Sequence, residues 1–171
     1  LFRSNFTETL QKGYAGFRRF IEVLAECPDV KNLSGAVSLD SIEANGQVLG
    51  DVRYNNVVFS YDGKAKVLNG LDLHIEAGTT VALVGPSGGG KTTTCSLLPR
   101  FYDPQEGSIE IDGVDVRNVT LQSLRSAIGI VQQDVYLFGS TVRDNIAYGK
   151  PDATEEEIIE AAKCANIHDF I

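Results

Sequence analysis

Val81-Ala82-Leu83-Val84-Gly85-Pro86-Ser87-Gly88-Gly89-Gly90-Lys91-Thr92-Thr93 reads as a short buried strand, a glycine loop and the start of a helix. The loop fits G-x-x-x-x-G-K-[ST], the phosphate-cradling P-loop. Gly85, Gly88, Gly89 and Gly90 permit positive φ and let the backbone approach an anion closely. The N–H groups of Gly88 to Thr93 then converge at a helix N-terminus, where orphan donors and the macrodipole favour negative charge. Lys91 reaches the phosphates as a mobile point charge. The Thr92 hydroxyl is a hard oxygen ligand of the kind that Mg²⁺ prefers. Four apolar residues before the loop and the run Thr92 to Leu98 after it supply the expected strand and helix.

The chain around this loop has 171 residues, enough for one domain with its own core. Hydrophobic content of 43% and charged content of 22% are ordinary for a globular protein. The net charge of −8 disfavours non-specific binding to nucleic acid or anionic lipid. It does not disfavour a nucleotide, because a local nest of N–H groups holds phosphate inside an acidic protein. No apolar run reaches bilayer-spanning length and no secretory signal pattern is visible, so the composition is that of a soluble chain. Cys27, Cys95 and Cys164 lie far apart, which suits reduced thiols rather than a zinc site. Cys95, just after the loop, reads as a small core residue. His74 and His168 stand alone and carry no function in this reading.

Taken in order, residues 1–26 read as a helix. Phe2, Phe6, Leu10, Tyr14, Phe17, Ile21 and Leu24 form one apolar stripe. Its charges are mixed rather than basic, so packing against its own protein is favoured over a membrane surface. Cys27-Pro28-Asp29 ends it, and residues 27–50 read as a linker or loosely packed excursion. Val52 to Tyr54 and Val57 to Phe59 make a strand region ending at Tyr61-Asp62-Gly63. Leu71, Leu73 and Ile75 alternate with polar residues, the period of a half-buried strand. Asp112-Gly113 between Ile109–Ile111 and Val114–Val116 signals a hairpin. A short helix starts near Thr120, an apolar strand follows at 128–131, and Thr141 to Tyr148 suits one or two helical turns. Thr154 and Glu157 form a capping box opening a last helix. Read from the residues alone, Tyr61 is either a stacking ring or a core tyrosine at a strand end.

From Asp51 onward the sequence resembles the nucleotide-binding domain of ABC transporters, most closely the exporter type fused to a membrane domain. The resemblance rests on the P-loop together with Phe101 to Gly113, Leu124-Arg125, Ile130 to Phe138 and Thr141 to Gly149 at the family's spacing. It implies an α/β fold: a P-loop NTPase core of the ABC type with an antiparallel β subdomain, preceded by an amphipathic helix. In domain terms, 1–26 is a helix extending from a transmembrane segment, 27–50 a linker and 51–171 a partial ABC ATP-binding domain.

The resemblance also implies ATP and Mg²⁺ as ligands. Tyr61 stands where the family stacks an aromatic ring on adenine, and ring stacking tolerates base identity. The cradle is Gly85, Pro86, Ser87, Gly88, Gly89, Gly90, Lys91, Thr92 and Thr93, with Thr92 and Gln133 as metal ligands. Lys91 and Gln133 are the catalytic candidates. Gln133 matches the Q-loop glutamine, with Gln132 the adjacent alternative; spacing back from Leu137-Phe138 favours Gln133. Two partners follow: a transmembrane domain whose coupling helices meet the Val135–Asn145 region, and a second nucleotide-binding domain. Tyr136 and Phe138 are read either as anchors on that surface or as core aromatics. No nucleic acid is expected as a partner. The location implied is a membrane, with the nucleotide domain on its cytoplasmic face.

The sequence contains no Ser-Gly-Gly-Gln run and no hydrophobic run ending in Asp-Glu, and His168 lies in the wrong context for the family's switch histidine. The expectation is therefore a chain truncated at its C-terminal side. It is an ATPase in its full-length form, and the fragment binds MgATP without completing hydrolysis. The other classes weighed are a soluble ABC-type ATPase acting on nucleic acid or in translation, and a P-loop small-molecule kinase. The second leaves Phe101 to Gly113 without a role.

Overall fold

The computed structural model describes residues 2–41, 48–132 and 136–171, with side chains described from residue 11 onward. Gln133, which the sequence reading places at the metal, lies outside the described residues. The chain divides into two compact units, Leu1–Gly129 and Ile130–Ile171.

The first unit is organised on a four-stranded antiparallel sheet of order β2-β1-β3-β4. Its strands are β1 (Val52–Phe59), β2 (Leu68–Ile75), β3 (Glu106–Ile111) and β4 (Val114–Asp115). Alternation puts Val52, Tyr54, Val57 and Phe59 of β1 inside, where they meet Leu68, Ile109 and Ile111. Leu97, Val116, Val119 and Leu124 close the same core. The Asp112-Gly113 hairpin forms as the sequence predicts, with φ of 52° and 78°, the pair of positive values that a primed turn needs.

β1 departs from regular pairing at Asn55-Asn56, a bulge in which Asn56 takes φ 47° and donates its N–H to Asp72. Gly107 (φ 84°) passes directly over this bulge. A β-carbon there would stand 2.5 Å from the Asn56 carbonyl oxygen and closer still to that of Asn55.

Among the described residues, four α-helices follow the first two strands. In the first unit, α2 (Lys91–Leu97) follows the glycine loop, and α3 (Leu121–Ser126) starts where the sequence predicts a helix, with Thr120 as its N-cap. In the second unit, α4 (Val142–Ile146) and α5 (Glu155–Cys164) both begin with full capping boxes, Thr141/Asp144 and Thr154/Glu157. Ile158 and Ala162 of α5 and Ala147 are buried there.

Several expectations need correction. Residues 81–84 do not form a buried strand: no strand is assigned, and Val84 is 90% exposed. Residues 128–131 likewise form none, with Val131 at 99% exposure. Apolar runs of this kind become strands only when neighbouring strands take their backbone bonds, and among the described residues no strand runs beside either.

The helix α1 (Phe2–Leu24) exists, but its stripe residues Tyr14, Phe17, Ile21 and Leu24 are all exposed; no described residue covers them. Cys95 is exposed rather than core. His74 is not alone: its Nε2 lies 2.7 Å from Asp51 Oδ2. That contact holds the Asp51 carboxyl below the usual aspartate range.

The described part of residues 27–50 is pinned rather than loose. Leu39 is buried, and Val37 forms an isolated parallel bridge with Val119. The Asn32 side chain accepts from the Leu121 N–H. The Asp112 carboxylate accepts from the N–H groups of Leu49, Gly50 and Asp51 at 2.8–2.9 Å. The deepest tie is Arg100, only 2% exposed, in the left-handed conformation just past α2 (φ 55°). Its guanidinium pairs with Asp103 at 2.6 and 3.0 Å and donates to the carbonyl of Lys31 at 3.1 Å. A buried guanidinium needs such partners, and here they connect the end of α2 to the segment arriving from α1.

Gly107→Ala tests the packing over the bulge. It combines a left-handed φ with a backbone clash and is expected to destabilise the protein by about 2–4 kcal/mol. Urea unfolding reads this as a lower midpoint at unchanged slope.

Candidate nucleotide-binding site

The site is built where β1 and β2 hand over to α2. β1 ends at Phe59, and the next residue, Ser60, is held by the Gln105 carboxamide. Gln105 Oε1 accepts from the Ser60 N–H at 2.8 Å, and its Nε2 donates to the Ser60 carbonyl at 2.9 Å. Asp62 then shapes the turn by accepting from the N–H groups of Lys64 and Ala65, at 2.8 and 3.1 Å. Those donors, the Lys64 N–H foremost, hold its carboxyl below the usual range. The Val67 N–H returns to the Phe59 carbonyl at 2.8 Å, and β2 starts at Leu68.

α2 begins against that corner. Gly90, its N-cap, is buried at φ 80°, and a β-carbon there would lie 2.7 Å from Leu68 Cδ2 and 3.2 Å from the Val67 carbonyl. Only glycine lets the helix start so close to β2. No side chain caps this N-terminus. The Tyr54 hydroxyl, from the middle of β1, donates to the Thr94 carbonyl at 2.9 Å, and burial pushes its phenol far above the usual range.

Of the predicted cradle residues, the loop and Thr92 are exposed, Lys91 is half-buried, and Gly90 and Thr93 are buried. Gly85, Pro86, Ser87, Gly88 and Gly89 are all exposed, with a turn closed by the Gly89 N–H on the Pro86 carbonyl. Lys91 curls over the loop, donating from Nζ to the carbonyls of Gly85 and Pro86 at 2.8 and 2.6 Å. Thr92 is exposed on the first turn and Thr93 is buried beside it. Tyr61 is brought to this surface: its hydroxyl lies 3.0 Å from Thr93 Oγ1. Its ring meets Phe59 and Tyr102 nearly edge to face, at 4.9 and 5.1 Å between centroids, and remains 55% exposed. Of the two readings open for Tyr61, a ring buried in the core is therefore excluded. Beside it lies a hollow of about 270 Å³, lined among others by Val30, Tyr102 and Asp103.

Uncapped helix N–H groups, glycine backbone, an ammonium and two hydroxyls make a donor set that fits a phosphate chain, with Thr92 the hard oxygen suited to Mg²⁺. Gln105 and Arg100 were not assigned roles from sequence. Both act through side-chain bonds to distant backbone, which leave no periodic trace.

In the second unit, Tyr136 and Phe138 are exposed on the surface, not core. Phe138 stacks near Tyr148, with centroids 4.5 Å apart. Asn145 holds the turn before α4: it accepts from the Phe138 N–H at 2.8 Å and donates to the Thr141 carbonyl at 2.9 Å.

Comparison with known proteins agrees with this geometry. The ABC transporter family model matches residues 68–171. An ATP-dependent lipid A-core flippase of Syntrophus aciditrophicus is 48% identical over 168 residues, 98% of this chain and 27% of the flippase. The ABC transporter ATP-binding protein YwjA of Bacillus subtilis is 48% identical over 164 residues, 96% of this chain and 28% of that protein. The structure of a bacterial Atm1-family ABC exporter with ATP bound superposes with a TM-score of 0.81 at 43% identity, over 95% of this chain and 27% of the exporter. The chain thus spans little more than a quarter of the length of these relatives. With the P-loop, the antiparallel sheet beside it and these matches in agreement, the chain has the P-loop NTPase fold of the ABC type and belongs to the ABC transporter family.

Proposed function

We propose that this chain is the ATP-binding part of an exporter that couples ATP binding and hydrolysis to movement of a substrate across a membrane. The observation that carries the proposal is the exposed glycine loop with Lys91 bonded across it, running into a helix whose Thr93 holds the exposed Tyr61 by its hydroxyl. The kinship with exporters and a flippase supplies the transport context.

In this reading the backbone N–H groups of Gly88 to Thr93 receive the phosphates, aided by Gly85, Pro86, Ser87, Gly89 and Gly90 as the loop's frame. Lys91 leaves its carbonyl partners to neutralise the β- and γ-phosphates. The exchange is favourable because an ammonium-to-phosphate bond is charge-assisted on both sides. Thr92 would hold Mg²⁺, with Gln133 as its second ligand or as the group orienting water. Tyr61 offers its ring to the base. Bound MgATP supplies the phosphoanhydride bond whose cleavage drives the cycle.

Phosphoryl transfer also needs a positioned water and charge neutralisation around the γ-phosphate. The sequence lacks the Ser-Gly-Gly-Gln and Asp-Glu elements to which the family resemblance assigns those tasks. The chain by itself therefore binds MgATP without completing hydrolysis. The same reading gives it two partners, a transmembrane domain meeting the Val135–Asn145 region, of which Val135 lies outside the described residues, and a second nucleotide-binding domain, and puts it at the cytoplasmic face of a membrane. Among the described residues no helix is long and apolar enough to cross one.

Lys91→Ala tests the cradle. It removes charge-assisted contacts worth ~1.5–3 kcal/mol, so MgATP affinity falls by about one to two orders of magnitude in a calorimetric titration. An unchanged affinity in a folded variant would contradict the assignment.

A further inference from the structure

We propose that Gln105 is a positioning residue for base recognition: it fixes the root of Tyr61 so that the ring is oriented before a nucleotide arrives. The inference rests on the reading of Tyr61 as the stacking ring.

β1 ends at Phe59 and β3 begins only at Glu106, so regular pairing stops short of Tyr61. Gln105 extends it by other means. Its backbone N–H donates to the Val58 carbonyl at 3.0 Å. Its side-chain amide then pairs with both polar groups of the Ser60 backbone, at 2.8 and 2.9 Å, imitating one more residue of ladder. This constrains the backbone immediately before Tyr61, and so the direction in which its side chain leaves the chain. The far end of the same side chain is held by Thr93 Oγ1, and the flanks by Phe59 and Tyr102. A ring fixed at root and tip but 55% exposed is a preformed platform. Without Gln105 the segment after Phe59 loses two of the bonds that define it, and the ring must be ordered at the moment of binding, at the expense of affinity for the base alone.

The test compares MgATP with magnesium tripolyphosphate, which shares the phosphate chain and lacks the base. Both affinities are measured by calorimetry on the complete protein and on Tyr61→Ala, Gln105→Ala and Gln105→Glu. The ratio of the two affinities isolates the base. Tyr61→Ala is expected to lower that ratio by roughly 5- to 100-fold, the worth of one base–aromatic stack. Gln105→Ala lowers it by about two- to tenfold, the toll of ordering one side chain on binding, with tripolyphosphate affinity retained. Gln105→Glu keeps the acceptor for the Ser60 N–H but loses the donor, and falls between Gln105→Ala and the unmodified protein. If Tyr61→Ala collapses the ratio while Gln105→Ala leaves it intact, the positioning role fails alone. If Tyr61→Ala leaves the ratio intact, the stacking reading fails and the inference with it. Parallel loss of both ligands in Gln105→Ala marks a purely structural residue and overturns the proposal.

Discussion

The seat of α2 on the antiparallel sheet is the contact from which the rest of the site follows. Gly90 lets the helix begin against Leu68 and Val67, and the Tyr54 hydroxyl grips the Thr94 carbonyl from the centre of β1. With those two points fixed, the loop 85–89 has to lie on the surface, Thr93 has to face the end of β1, and Tyr61 is within reach of it. A β-carbon at position 90 would be strained at φ 80° and would press on the Leu68 side chain and the Val67 carbonyl. The glycine is therefore needed for packing, whatever approaches the loop.

The opposite end of α2 is tied as firmly. Arg100 commits its guanidinium to Asp103 and the Lys31 carbonyl, so the helix that begins at the glycine loop ends on the segment that leads in from α1. A buried charge is tolerated because Asp103 neutralises it and backbone carbonyls take further donors. Sheet, cradle helix and incoming segment form one mechanically continuous body within the first unit. The exposed stripe of α1 stands outside that core.

Local chemistry was legible in the sequence where it is enforced by neighbours a few residues away. The helix start after the glycine loop, the Asp112-Gly113 turn, the helix start near Thr120 and the Thr154/Glu157 capping box appear as read, whereas the Thr141/Asp144 box was not picked out. The runs at 81–84 and 128–131 were misread because apolar content says that a segment would gain from burial, not that anything lies beside it to bury it. Cys95 was misread for the same reason. Gln105, Arg100 and the Asp112 carboxylate, which organise the site and its approach, bond to backbone distant in sequence and have no local signature. Tyr61 fell between: its residue type suited two roles, and only its exposure in the folded chain rules out the core one.

The account stands on residues 85–93 being the place where a nucleotide's phosphates are held. Amide hydrogen exchange, with and without MgATP, tests this directly. The account predicts new protection concentrated at Gly88 to Thr93, with a smaller gain around Tyr61, because the N–H groups of that turn become donors to phosphate. MgATP binding that leaves those amides unprotected, or protects another surface instead, would contradict it.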